Sequence, residues 1–188
     1  PIPVKKKFSK SFANGKVFAI CIDGSDHAEG AFNMVKNNFL TKEDFLLGIY
    51  IYNSKKDNDY NYKNKKDTVI KNYEDKFSML DSNKSLFKFE DRFSQIHALE
   101  QVNKTAFDHK ADFLFCGFVG MKGPKGDNAE LSRGIDYMLK CCSEPFVIIK
   151  DITQRESKQN AQFNWLFVFD QAILRSESIL DKFLPLVD

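Results

Sequence analysis

Four short runs in this chain are apolar at almost every successive position: Val17 to Ile22 (VFAICI), Phe45 to Tyr52 (FLLGIYIY), Asp112 to Phe118 (DFLFCGF) and Phe146 to Ile149 (FVII). A strand with one face in water alternates apolar and polar residues, whereas a strand covered by helices on both faces has no polar side to show. A weaker run, Ser85 to Phe93 (SLFKFEDRF), alternates in part and suits a more exposed or edge position. Between the runs the apolar spacing changes to that of helices. Ala28, Ala31, Phe32, Val35 and Phe39 share one stripe, opened by Asp26 and Glu29 as a capping pair. Val69, Ile70, Tyr73, Phe77 and Leu80 form a second stripe, and Ile96, Leu99, Val102 and Ala106 a third behind a Ser94 cap. Leu131, Ile135, Met138, Leu139 and Cys142 form a fourth. Strand and helix thus alternate from residue 17 to about residue 150. That order predicts an α/β domain: an open parallel sheet with helices on both faces and right-handed crossovers.

Length and charge narrow the classes further. The 188 residues exceed one common domain and fall short of two. A hydrophobic share of 43% beside 29% charged residues excludes wholesale disorder. No run approaches the ~20 apolar residues of a membrane helix, so no membrane association is expected. The opening PIPVKKKFSKSF lacks the apolar core of a secretory signal. It begins with proline, which fits either a removed initiator or a piece of a longer protein. Net charge is +2, too balanced for a nucleic-acid footprint, so nucleic acid is disfavoured as a partner. The basicity is local, with Lys5, Lys6, Lys7, Lys10 and Lys16 all preceding the first acidic residue, Asp23, in a short arm over residues 1–16. Residues Asn53 to Asp67 carry five lysines and little apolar surface, which reads as an exposed loop. Cys21, Cys116, Cys141 and Cys142 show no metal-ligand spacing and fit reduced thiols in a cytoplasmic compartment.

The tail repeats the plan of the head. VFAICIDGSDHAEGAFNMV and WLFVFDQAILRSESILDKF each place an apolar strand, an aspartate at its carboxyl end (Asp23, Asp170), a short loop and an amphipathic helix in the same order. Ile173, Ser176, Ile179, Leu180 and Phe183 set the second helical face. The organisation expected is a domain over 17–150, a polar linker over 151–161 and one strand-helix unit over 162–188. That unit is the start of a second repeat or, on the competing reading, a C-terminal decoration of a single domain. Either way it cannot bury its apolar face alone.

In open parallel sheets, ligands bind beyond the carboxyl ends of the strands, near the point where strand order reverses. Two segments belong there: Asp23-Gly24-Ser25-Asp26, and Gly117-Phe118-Val119-Gly120 running on through Lys122 and Lys125. Glycines admit close backbone approach, and a helix amino terminus presents N–H groups to an anion. The first turn lacks the dinucleotide glycine fingerprint, and the second loop lacks the lysine-threonine ending of a P-loop. His27, His97 and His109 form no ligand set with one another or with the cysteines.

These residues resemble the universal stress protein family over about 17–150. The resemblance is carried by the strand-Asp23-Gly24-Ser25-helix unit, by Ala111-Asp112 to Gly117-x-x-Gly120, and by Tyr137-Met138-Leu139 running to Pro145-Phe146-Val147-Ile148. It implies a five-stranded parallel sheet of the adenine nucleotide alpha hydrolase-like kind and, in one branch of the family, ATP bound at the strand ends. In that branch Asp23 would lie beside the nucleotide and main-chain groups around Ile51 would meet adenine. A Gly-x-x-Gly, nine residues, then Gly-Ser or Gly-Thr would cradle the phosphates, with magnesium present only alongside ATP. The chain departs from that last element: Glu130 follows the nine residues after Gly120. Alignment through Tyr137 instead puts Ser132 and Arg133 at the Gly-Ser position, behind a two-residue insertion. The expectation is therefore a noncatalytic regulatory or scaffolding module with a degenerate nucleotide loop. The alternative is an ATP-dependent switch or slow ATPase using Asp23 and Gly117-x-x-Gly120. The family also implies pairing of domains through the fifth strand, making Phe146, Val147, Ile148 and Ile149 the expected association edge.

Overall fold

The computed structural model describes residues 15–56, 65–120, 133–142 and 144–150. Most of the basic arm, the middle of the lysine-rich loop, the linker over 151–161 and the strand-helix unit over 162–188 lie outside the described residues. In chain order the elements are β1 (Val17–Ile22), α1 (Asp26–Met34) with a π-helical turn (Val35–Phe39), β2 (Phe45–Tyr52), α2 (Lys66–Ser78) and β3 (Ser85–Asp91). There follow α3 (Ala98–Asp108), β4 (Phe113–Gly117), α4 (Arg133–Cys141) and β5 (Phe146–Ile149). The five strands form one sheet in the order β3-β2-β1-β4-β5, parallel at every pairing. The partly alternating run is an edge strand, as its pattern predicts.

The period of two along each strand sorts side chains between two cores. Phe18, Ile20 and Ile22 of β1 join Phe113 and Phe115 of β4 under Phe32 of α1 and Tyr73 and Phe77 of α2. Val17, Ala19 and Cys21 point the other way, to Val102 and Ala106 of α3 and Ile135 and Met138 of α4. The first core is aromatic: Phe18 stacks on Phe113 at 5.5 Å between centroids, and Phe32 meets Tyr73 edge-on at 5.7 Å. Each large side chain so buried stabilises the fold by roughly 1.5–3 kcal/mol relative to exposure. Gly48 of β2 faces this core because the ring of Phe77 takes the space of a side chain there; a Cβ would lie 2.7 Å from Phe77 Cζ.

Polar groups tie the amino-terminal end of the sheet. Asp44 is buried and accepts from Lys16 N–H at 2.8 Å, Thr41 N–H at 2.8 Å and the Thr41 hydroxyl at 2.7 Å. Asp112 leaves the strand its run suggested and accepts from Val17 N–H at 2.8 Å. Other expectations shift at helix ends. Ser25, not the Asp26–Glu29 pair, caps α1, its hydroxyl accepting from Ala28 N–H at 3.1 Å. His97 rather than Ser94 caps α3, its Nδ1 accepting from Leu99 N–H at 3.3 Å. Leu139 is 53% exposed, so among the described residues the expected stripe of α4 buries Ile135 and Met138, while Leu131 lies outside the described residues. The first helical stripe keeps its register through the π-helical turn, where Val35 and Phe39 are both buried.

Candidate functional site at the strand ends

Strand order reverses between β1 and β4. The chain leaves β1 through α1 toward β2, and leaves β4 toward β5 on the opposite side, so the two carboxyl ends diverge around a crevice. Local chemistry fixes the first wall. Asp23 Oδ1 accepts from Ser25 N–H at 2.9 Å, closing a tight turn that directs the chain into α1. Gly24 sits at φ 79°, in the left-handed region that a side chain resists. Ser25 then caps the helix. Each residue of the Asp-Gly-Ser triplet therefore has a structural task at this corner.

The second wall comes from the end of β4. A Cβ at Gly117 would lie 2.6 Å from His27 Cβ and 2.9 Å from Ala28 N, so glycine here lets β4 pass against the first turn of α1. Gly120, three residues on and exposed, differs: a Cβ there would meet Asp23 Oδ2 at 2.9 Å. The Gly117-x-x-Gly120 segment thus returns to the aspartate at the end of β1. Sequence reading placed both segments at the strand ends, and the fold brings them into contact.

Ile51 belongs to the same end of the sheet. Phe45 N–H donates to Lys16 C=O and Leu46 N–H to Lys84 C=O, so odd positions of β2 direct their main chain toward β1. The main chain of Ile51 accordingly faces the point where β1 gives way to Asp23, while its half-buried side chain packs on the core under α3 and α4. Ser132 lies outside the described residues, as does the side chain of Arg133, whose main chain begins α4. Phe146 to Ile149 form β5 at the edge of the sheet, where Ile149 pairs with Gly117 and Phe146 starts at the opposite end of the strand.

Two neighbouring features escaped the sequence reading. Cys21 and Cys116 lie side by side on β1 and β4, both buried, one residue inward from the crevice. The hydrogen bond to Cys116, then burial, then the charges of Cys116 and Asp23 hold the Cys21 thiol well above its usual range. That makes it a packing group rather than a nucleophile. Beside the corner, a cleft of about 250 Å³ opens between α1 and α2, lined by Ser25, Glu29, Asn72, Tyr73 and Lys76 among others. Glu29 organises it, accepting from the Tyr73 hydroxyl at 3.2 Å and pairing with Lys76. Burial, then the Glu29 carboxylate, raises the Tyr73 phenol far above its ordinary range. No motif marked this group, because Glu29 lies more than forty residues from Tyr73 and Lys76 in sequence. Gly117 and Gly120 do not line that cleft.

Among the described residues, the crevice presents the Asp23 carboxylate, main-chain groups of two glycine turns and a helix amino terminus. Among the described residues no group of three or more His, Cys, Asp or Glu is placed to hold a metal ion.

No family model matches the sequence, and no curated protein matches it. Solved structures do match. Universal stress protein UspA from Lactobacillus plantarum superposes at a TM-score of 0.53 with 15% identity, covering 73% of this chain and 99% of that one. The hypothetical protein MJ0577, whose structure is described as a structure-based assignment of biochemical function, superposes at 0.51 with 17% identity, covering 72% and 96%. The chain therefore has the fold of the universal stress proteins, the adenine nucleotide alpha hydrolase-like arrangement of a five-stranded parallel sheet between helices.

Proposed function

We propose that the chain is a noncatalytic, universal-stress-protein-like module with a regulatory or scaffolding role that binds adenine nucleotides weakly at the β1–β4 crevice. The supporting observation is the convergence of Gly120 on Asp23, which sets a glycine turn and a carboxylate around one opening at the switch point. Asp23 would contact the sugar side of ATP, the main chain near Ile51 the base, and the main chain of Gly117 to Gly120 the phosphates. The departure from the family pattern at Ser132 and Arg133 weakens the phosphate end, because side chains stand where a glycine would admit close approach. Ser132 would supply a hydroxyl and Arg133 a guanidinium to the phosphates. Magnesium would enter only with the nucleotide. Cys21, Cys116, Cys141 and Cys142 are all free thiols, in keeping with a reducing, cytoplasmic setting. Among the described residues no helix is long and apolar enough to cross a membrane. Protein partners, or a second copy, would join at the β5 edge.

Equilibrium titration with a fluorescent ATP analogue, with and without magnesium, tests this reading. Saturable binding that Asp23→Ala removes supports it, and absence of binding at millimolar nucleotide refutes the nucleotide part. Phosphate release from ATP that Asp23→Ala abolishes would establish the switch or slow ATPase in its place.

A further inference from the structure

Helix α2 turns one row of polar side chains toward α1. Thr68, Asn72 and Lys76 follow at four-residue steps, which places them on one helical face, and all three line the cleft of about 250 Å³ between the two helices. Val69 and Tyr73, one position on from the first two, give it an apolar floor and are 2% and 1% exposed. Glu29 of α1 supplies the facing wall. Gly117 and Gly120 do not line it, so the cleft is a separate opening from the β1–β4 crevice.

The charges inside are balanced against each other. Lys76 pairs with Glu29, and its ammonium lies 4.8 Å from the centroid of the Tyr73 ring. The Tyr73 hydroxyl donates to the same Glu29 oxygen at 3.2 Å, and burial together with that carboxylate keeps the phenol protonated. Asp26 also lines the cleft, but it is exposed, and water and salt screen its charge. A ligand with a full charge would have to break the Glu29–Lys76 pair or face one member of it with like charge. A neutral ligand meets no such cost. An ammonium has three N–H groups, so Lys76 keeps donors to offer after pairing, and the carboxylate keeps a lone pair. Thr68 adds a hydroxyl and Asn72 an amide, each able to donate and to accept.

Size narrows the class further. A cavity of roughly 150 Å³ holds one six-membered aromatic ring, and drug-sized ligands take roughly 300–1,000 Å³. The cleft, at about 250 Å³, falls between them.

We propose that the α1–α2 cleft binds a neutral polyhydroxylated molecule of monosaccharide size. Its hydroxyls bridge Thr68 and Asn72 of α2 to the Glu29–Lys76 pair, and its C–H face lies on Val69 and Tyr73. Neighbouring hydroxyls suit this lining because each one donates and accepts, as carboxylate, ammonium and amide together require. The proposal is independent of nucleotide binding at the β1–β4 crevice.

Nuclear magnetic resonance titration of the full chain with D-glucose and, separately, myo-inositol tests it, with glucosamine and glucuronate as the cationic and anionic comparators. A neutral probe is expected to shift the amide signals of Asn72 and Lys76 saturably at millimolar concentration. Asn72 is exposed, so its substitution spares the core. Asn72→Ala should weaken binding by about tenfold through its lost hydrogen bonds. Asn72→Trp should fill the cleft and abolish binding, with the amide signal of Ile20 on the central strand unchanged in both variants. Absence of saturable shifts with both neutral probes would overturn the proposal. Tighter binding of glucosamine or glucuronate would overturn the neutral class of ligand. Binding that both Asn72 variants leave intact would overturn the cleft as its place.

Discussion

Gly117 and Gly120 look equivalent in sequence, yet the structure gives them separable consequences. A Cβ at Gly117 would stand 2.6 Å from His27 Cβ, 2.7 Å from His27 C and 2.9 Å from Ala28 N. These are backbone atoms and a Cβ in the first turn of α1, so no side-chain rotation relieves them; β4 and α1 must separate. Overpacking of this kind costs about 1–3 kcal/mol, and the rigidity of the neighbours places Gly117→Ala near ~2 kcal/mol or above. With a urea m-value of ~2 kcal/mol/M for a domain of this size, the midpoint falls by about 1 M. At Gly120 the Cβ meets Asp23 Oδ2, the far end of a side chain, at 2.9 Å. Rotating Asp23 away strains its hydrogen bond to Ser25 N–H, a change of about 1 kcal/mol or less for that bond. Gly120→Ala should therefore keep its midpoint within roughly half of the Gly117→Ala shift, while reducing binding of the ATP analogue by displacing Asp23. Urea denaturation followed by far-ultraviolet circular dichroism, beside the titration, measures both quantities. Equal midpoint shifts for the two variants, or an unchanged midpoint for Gly117→Ala, would refute the reasoning.

Asp44→Ala removes the acceptor of three hydrogen bonds, from Lys16 N–H, Thr41 N–H and the Thr41 hydroxyl, at the opposite end of the sheet. The expected destabilisation is about 2–3 kcal/mol by urea denaturation, with nucleotide titration unaffected. His109 has its imidazole pKa held below the usual ~6.5 by burial first and by Lys88 second. Because the folded value is depressed, its contribution is present above pH 6.5 and is lost as pH falls through the lower folded value. Urea midpoints should decline from pH 7 to pH 5, and His109→Gln should flatten that slope; an unchanged slope would remove His109 as its source.

What the sequence made legible follows from how strongly each feature is over-determined. Strands β1, β2 and β5 match their apolar runs end to end; in β1 and most of β2, burial on both faces leaves no polar residue inside the strand and several outside it. Helix starts were harder, since several side chains near each start can accept the same N–H group. Ser25, Asp26, Ser94 and His97 all qualify chemically, and only the direction of chain entry selects Ser25 and His97. Leu139 lies on the expected stripe of α4 yet is exposed, because that helix covers the outer part of the sheet and meets it over a narrow face. At the crevice, the sequence supplied Asp23, Gly117 and Gly120 but not the reason for each. The Glu29–Tyr73–Lys76 group depends on the packing of α1 against α2, which no local spacing encodes.

That distinction decides how much weight the nucleotide reading places on each residue. Gly24 has its positive φ, Ser25 its helix to cap and Gly117 its contact with α1, so the fold requires all three whether or not a ligand is bound. Their presence speaks for the architecture of the corner and is neutral about nucleotide. Gly120 stands apart: it is exposed, its φ is not positive, and among the described residues the atom crowding a Cβ there is a carboxylate oxygen of Asp23. The protein interior makes no comparable demand on it. A glycine that packing does not require, set against a carboxylate at a switch point, is the residue whose substitution separates a binding site from a turn.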